Sequence, residues 1–242
     1  MHRLFVPPDN ISVDEIRVSD KEQVNHLKNV LRLKAGAEIV VFDGQGNEFN
    51  CAVEVVAKEV VLKIKSRNSS KKTGSSITIA CAIPKKSKMD DIIDKLTQLG
   101  VDKIIPLETE RVIVRLDKNK KAQRQERWQK IAQSASEQSQ RSTIPVIEPV
   151  KNVSEVLTAA KNYDLKLIPT LYGKRKSLKE VFSGSVPKNV LVFIGPEGDF
   201  SDEEVGLAVK AGCIPVSLGQ EVLRVETAAV AAASFIKLYE NC

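Results

Sequence analysis

The stretch SRNSSKKTGSS at residues 66–76 separates two segments whose hydrophobic periods are incompatible, so this chain is not built as one continuous layer. Before it, EIVVFDGQGNEFNCAVEVV alternates apolar and polar residues around a Gly-Gln-Gly turn, and EVVLKIKS continues the alternation. A period of two with a turn signal predicts short antiparallel strands, here in a small barrel. One helix is expected within this part, over SDKEQVNHLKNVLRL, with Ser19 or Asp20 as N-cap and Val24, Leu27, Val30 and Leu31 at helical spacing. Beyond the break, SSITIACAI predicts a strand and MDDIIDKLTQLG a helix with Met89, Ile92, Ile93, Leu96 and Leu99 on one stripe, stopped at Gly100. VDKIIPL then completes a βαβ unit. A long polar helix over about residues 121–141 follows, then the strands LKLIPTL, NVLVFIG and CIPVSLG and a closing helix, ETAAVAAASFIKLYE. The boundaries expected are 1–70 for a β domain and 75–242 for an α/β domain with a mainly parallel sheet.

The length of 242 residues suits two modest domains, and 42% hydrophobic with 28% charged residues is the composition of a globular protein. No apolar run is long enough for a membrane span, and MHRLFVPPDN has no apolar core of the signal-peptide kind, so a cytoplasmic protein without a membrane partner is expected. Cys51, Cys81, Cys213 and Cys242 are far apart and the histidines are His2 and His26 alone, a poor basis for a metal site or a disulfide framework. The net charge of +6 gathers in three clusters: Lys85, Lys86 and Lys88; Lys118, Lys120 and Lys121; Lys174, Arg175 and Lys176. Any one cluster is as readily a solvated face as a binding surface. Three together favour a nucleic-acid partner.

In parallel sheets ligands collect at the carboxyl ends of strands, where the loops IPTLYG, IGPEGDF and LGQEVLRVE fall. The middle one, IGPEGDFSDEEV, has the glycines of a phosphate cradle and the wrong charge for one. Ser201 and Glu204 form a capping box that uses the helix-start amides, and Glu197, Asp199, Asp202 and Glu203 repel an anion. A flat neutral or cationic ligand fits better, with Gly195 and Gly198 allowing close backbone approach or positive φ. By itself the segment favours a tight strand-to-helix connection with an acid-capped helix over a ligand site. In the last loop Arg224 lies between apolar residues beside Glu226 and Thr227. Either it pairs with Glu226 structurally, or its guanidinium awaits a developing negative charge.

IGPEGDFSDEEV and SLGQEVLRVETAAVAA together resemble the closing motifs of the SPOUT-type 16S ribosomal RNA uridine-N3 methyltransferases. HRLFV, HLKNVLRLKAGAEIVVFDGQGNEF, KMDDIIDKLTQLGVDKIIPLETER and WQKIAQSASEQSQRSTIPVI extend the likeness in order along almost the whole chain. The resemblance implies a small PUA-like RNA-binding β-barrel domain, then an α/β methyltransferase domain with a trefoil knot. It also implies S-adenosyl-L-methionine as methyl donor, 16S rRNA in the small ribosomal subunit as partner, and a homodimer. The sequence departs from the family at Asn25, Gln98, Gln220 and Glu221.

Carried over position by position, the resemblance places the cofactor against Thr170 and Leu171; Ile194, Gly195, Glu197 and Gly198; and Leu218, Gly219, Val222, Leu223 and Thr227. It gives Arg224 the stabilisation of charge on the uracil carbonyls, and Glu226 either the orientation of Arg224 or the removal of the imide proton. Arg3, Arg32, Arg111 and Arg141 become candidates for RNA contact.

Overall fold

The computed structural model describes residues 2–70, 74–85, 88–111, 117–184 and 187–240. The chain divides into two compact units, residues 1–72 with 136–144, and residues 73–135 with 145–242.

The first unit holds a five-stranded sheet in the order β1-β3-β4-β5-β2, made of β1 (His2–Phe5), β2 (Glu15–Val18), β3 (Glu38–Phe42), β4 (Asn47–Val56) and β5 (Val60–Ser69). The Gly-Gln-Gly turn joins β3 to β4. Asp43 Oδ1 accepts the N–H groups of Gln45 at 2.7 Å and Asn47 at 3.0 Å, and Gly44 and Gly46 take φ values of 73° and 106°, which other residues resist. Three of the four strand pairings are antiparallel, as the alternation predicts, but β1 runs parallel to β3. The excursion through β2 and a helix returns the chain in its original direction, which a tight turn cannot do.

That helix departs from the sequence expectation. Asp20 caps α1 (Lys21–Asn25), accepting Gln23 N–H at 2.9 Å, but the chain then widens into a π turn over His26–Val30 in which Leu31 N–H bonds back to the His26 carbonyl at 2.9 Å. The extra residue in that turn rotates the stripe, so Leu27 is fully buried while Val30 is exposed. Leu27 joins Leu4, Ile16, Ile39, Val41 and Leu62 in the core of this unit.

Two further differences concern the boundary. β5 continues to Ser69, so the polar stretch from residue 66 begins as strand: its backbone pairs with β4 out to Asn47 whatever its side chains are. Residues 136–144 also pack in the first unit, where Gln45 bridges Thr143 and Ser142 Oγ meets Ser70 Oγ at 3.0 Å. Nothing in their composition signals this.

The second unit is an eight-stranded sheet in which every described pairing is parallel. It opens with β6 (Ser76–Ala82), α2 (Lys88–Gln98) and β7 (Lys103–Glu108). Met89, Ile92, Ile93 and Leu96 of α2 are buried, and Gly100 ends the helix with a φ of 83°. The polar helix is α3 (Lys118–Gln138), anchored by Trp128, whose Nε1 donates to Asp90 at 3.1 Å. Then come β8 (Val146–Ile147), β9 (Lys151–Asn152), α4 (Val153–Ala159), β10 (Leu165–Pro169), β11 (Lys176–Ser177), α5 (Leu178–Val181), β12 (Asn189–Ile194), α6 (Asp202–Lys210), β13 (Ile214–Ser217) and α7 (Val225–Tyr239). The strand order is β11-β13-β10-β12-β6-β7-β8, with β9 also on β7. β12 therefore inserts between β6 and β10, and β13, β10 and β12 become neighbours with their carboxyl ends side by side.

Candidate functional site

Because those three strands are adjacent and parallel, the loops that follow them meet. Between them lies a cavity of about 500 Å³, within the size range of small-molecule sites. Thr170 and Leu171 line it from the β10 loop, and Ile194, Gly195 and Glu197 from the β12 loop. Leu218, Gly219, Val222 and Leu223 line it from the β13 loop. Gly198, Arg224, Glu226 and Thr227 are not part of the lining, although the neighbouring Val225 and Ala228 of α7 are.

The β12 loop is shaped by Asp199 and not by its glycines. Neither Gly195 nor Gly198 adopts positive φ; Asp199 does, at 61°. This buried carboxylate accepts Leu171 N–H at 2.8 Å through Oδ2 and its neighbour Phe200 N–H at 2.9 Å through Oδ1, clipping the β10 and β12 loops together. Sequence reasoning counted Asp199 only as negative charge. Gly195 packs closely against Phe200: a Cβ there would lie 3.1 Å from the Phe200 ring, tighter than an ordinary contact. In the β13 loop Gly219 has a φ of 136° with open space around it, and its carbonyl accepts Ser217 Oγ at 2.8 Å. The capping box of α6 is present as expected, and Glu204 Oε1 also accepts Glu110 N–H at 3.0 Å.

The cavity suits a flat apolar heterocycle carrying a positive group. Ile194, Leu218 and Leu223 give it apolar walls, Gly219 leaves one wall without a side chain, and Glu197 supplies a carboxylate at an exposed position. No helix among the described residues is long and apolar enough to cross a membrane.

Arg224 and Glu226 flank the cavity at the start of α7, and of the two arrangements the sequence leaves open, the direct Arg224–Glu226 pair is not the one observed. Arg224 occupies the N-cap position of α7 (φ −67°, ψ 157°) and is exposed; its carbonyl accepts the Ala228 N–H at 2.8 Å, while its guanidinium makes no hydrogen bond or close ion pair among the described residues. The apolar neighbours do not bury it, because the extended backbone there sends alternate side chains to opposite sides. Glu226 pairs with Lys88, the first residue of α2, whose Nζ donates to Oε1 at 2.8 Å. Its other oxygen is buried without a partner. Burial pushes this carboxyl up, but the Lys88 hydrogen bond and charge, with a smaller contribution from Arg224, hold it below the usual carboxylate range. At the end of β6, burial and then the Glu226 charge push the Cys81 thiol up.

The four arginines expected on RNA divide. Arg3 is largely engaged in the first unit: its guanidinium is 12% exposed, pairs with Glu48 and lies over Phe42 at 4.8 Å. Arg141 donates to Thr143 Oγ1 at 3.1 Å. Arg111 braces the cavity, donating from one nitrogen to the Gly198 carbonyl at 2.8 Å and the Phe200 carbonyl at 3.3 Å. Arg32 is exposed, at a φ of 53°, and makes no hydrogen bond among the described residues.

Some lysines of the first two clusters are paired. Lys88 holds Glu226, Lys120 meets Asp117 at 3.1 Å, and Lys121 meets Glu108 at 2.6 Å. Lys86, the side chain of Lys118 and Cys242 lie outside the described residues. The third cluster borders the cavity, with Arg175 in its lining.

Comparison with known proteins agrees with this arrangement. Residues 71–237 match the family model described as an RNA methyltransferase domain, and residues 18–65 that of an RNA methyltransferase PUA domain. The chain is 32% identical to the ribosomal RNA small subunit methyltransferase E of Bacillus subtilis, over 98% of its own length and 96% of the relative's. The crystal structure of a protein of that name from Neisseria gonorrhoeae, bound to S-adenosyl methionine, superposes with a TM-score of 0.86 at 32% identity, covering 98% and 97% of the two chains. A methyltransferase structure from Legionella pneumophila in complex with the same cofactor gives 0.87 at 34%, covering 98% and 96%. The chain belongs to the ribosomal RNA small subunit methyltransferase E family, with a PUA domain ahead of its α/β methyltransferase domain.

Proposed function

We propose that this protein methylates N3 of one uridine in the 16S rRNA of the small ribosomal subunit, with S-adenosyl-L-methionine as donor and the cavity between the β10, β12 and β13 loops as the donor's site. The observation that carries the reading is the convergence of those three loops on one apolar cavity beside Arg224, an exposed guanidinium with no partner among the described residues.

Ile194, Leu218 and Leu223 would hold the adenine, Glu197 would favour the sulfonium, and Thr170, Leu171, Gly195, Gly198, Gly219, Val222 and Thr227 would complete the surroundings of the bound donor. When bound, S-adenosylmethionine supplies a methyl group on a positively charged sulfur, which departs as a neutral thioether. The uridine imide must lose its N3 proton as the N–CH₃ bond forms, and the negative charge spreads onto the flanking carbonyl oxygens. Arg224 offers a planar, permanently charged fork to that charge. Lys88 keeps Glu226 ionised, the form able to take a proton.

Arg32 in the PUA domain, with Arg3, Arg111 and Arg141, would contribute to RNA contact, Arg32 most directly because its guanidinium is exposed. The five-stranded sheet would close as a barrel, and the insertion of β12 between β6 and β10 is consistent with a trefoil knot. Two copies would pair across the thin, alanine-rich α7, since Val222 and Leu238 leave apolar side chains 71% and 67% exposed on a single chain. A cytoplasmic location follows from the substrate. The test is nucleoside mass spectrometry of 16S rRNA from cells lacking the protein: one 3-methyluridine should disappear, and an unchanged modification profile would refute the assignment.

A further inference from the structure

The β10 loop carries a side chain that neither the fold nor the cofactor cavity uses fully. Tyr172 is 81% exposed, the most exposed of the large apolar side chains among the described residues, yet it is part of the cavity lining. The loop beneath it is braced on both sides: Thr170 Oγ1 donates to the Tyr172 carbonyl at 3.2 Å, and Arg175 donates to the Thr170 carbonyl at 2.9 Å. Gly173, at a φ of 84° with open space where a side chain would lie, turns the chain sharply behind the ring. An aromatic ring on a fixed turn loses little freedom when something packs on it.

The surroundings of the ring are cationic. Lys174, Arg175 and Lys176 follow directly and are exposed, and Lys174 makes no ion pair among the described residues. Neither Lys174 nor Lys176 is paired with a carboxylate in a described ion pair, whereas Lys88, Lys120 and Lys121 of the other clusters are, and this cluster stands at the mouth of the cavity. Three consecutive cations would repel their own copies across a two-fold axis, so a second chain is a poor occupant. A polyanion that also offers flat rings matches both features.

We propose that Tyr172 and Lys174 form an acceptor subsite at the cavity mouth, in which the Tyr172 ring stacks on a nucleobase of the substrate RNA and Lys174 contacts an adjacent phosphate. Arg175 is the positioning residue that fixes the loop. The inference rests on the functional reading above, in that the bound polyanion is the methyl acceptor.

Filter binding of small ribosomal subunits, with calorimetry of S-adenosylmethionine on the same proteins, tests it. Tyr172→Ala should weaken subunit binding by about 5- to 100-fold, the scale of one lost base–aromatic stack. Tyr172→Phe should bind as wild type, and both should keep wild-type cofactor affinity. Lys174→Glu should weaken binding and flatten its salt dependence. Wild-type subunit binding by Tyr172→Ala would overturn the inference alone. Loss of cofactor affinity in step with RNA affinity would make Tyr172 a cofactor contact, and a halved mass in light scattering would make it a subunit contact; either overturns the proposal. A wild-type protein that binds cofactor but no subunits would overturn the functional reading and this inference with it.

Discussion

The Asp199 carboxylate accepts the Leu171 backbone N–H at 2.8 Å, tying together two loops that belong to different strands and are separated by 28 residues in the chain. Asp199→Ala strands two amides that the carboxylate now satisfies, and should lower S-adenosylmethionine affinity by about tenfold or more. Asp199→Gly separates the bonds from the backbone: glycine accepts a φ of 61° more easily than aspartate, so equal loss in both variants identifies the carboxylate as the important element. Calorimetry decides, and cofactor affinity unchanged in both variants would remove the clip from the account.

Arg111 is expected to act on the cavity before it acts on RNA. Arg111→Ala frees the Gly198 and Phe200 carbonyls and should weaken cofactor binding several-fold in a protein without RNA, with Arg111→Lys intermediate because lysine lacks the fork. A variant defective only in subunit binding would return Arg111 to the RNA-contacting group.

Glu226 gives a pH prediction with a definite sign. Its carboxyl is held below the usual range in the folded protein, so the stabilisation it contributes is complete above the ordinary carboxylate pKa and is lost as pH falls through the lower folded value. Lys88→Met leaves burial without the compensating ammonium, so the carboxyl should rise and the acid limb of the pH–rate profile should move to higher pH. Superimposable profiles would show that Lys88 does not control Glu226.

For Arg224, exposure and the lack of a described partner predict a clean separation of chemistry from folding. Arg224→Ala should keep its melting temperature and hold cofactor affinity within a few-fold, while the methylation rate falls by roughly 100-fold or more, the scale of losing one preorganised charge-stabilising donor. A lowered melting temperature with lost cofactor binding would mark Arg224 as structural.

Much of the α/β unit was legible because period and breakers coincide there: the stripe from Met89 to Leu96 and the stop at Gly100 fall where the structure has them. The capping box of Ser201 and Glu204 was legible for the same local reason. The π turn at His26–Val30 was not, since a single extra residue in a helix leaves the apolar spacing almost intact. Residues 136–144 were hidden because their place depends on pairing with Gln45 and Ser70, which no local pattern encodes. At the site, the three loops could be found from strand ends, but the roles of Asp199, Arg111 and Lys88 could not. Each acts through a bond to a residue at least 28 positions away, and the sequence offered Glu226 only its neighbour Arg224 as a possible partner where the fold supplies Lys88.

Reconstitution tests the central claim most directly. Small subunits from cells lacking this protein, incubated with the purified wild-type chain and methyl-labelled S-adenosylmethionine, should take up about one methyl per subunit, and digestion should recover the label as 3-methyluridine from a single position of the 16S rRNA. Label in another nucleoside, or no transfer from a protein shown by calorimetry to bind the cofactor, would contradict it.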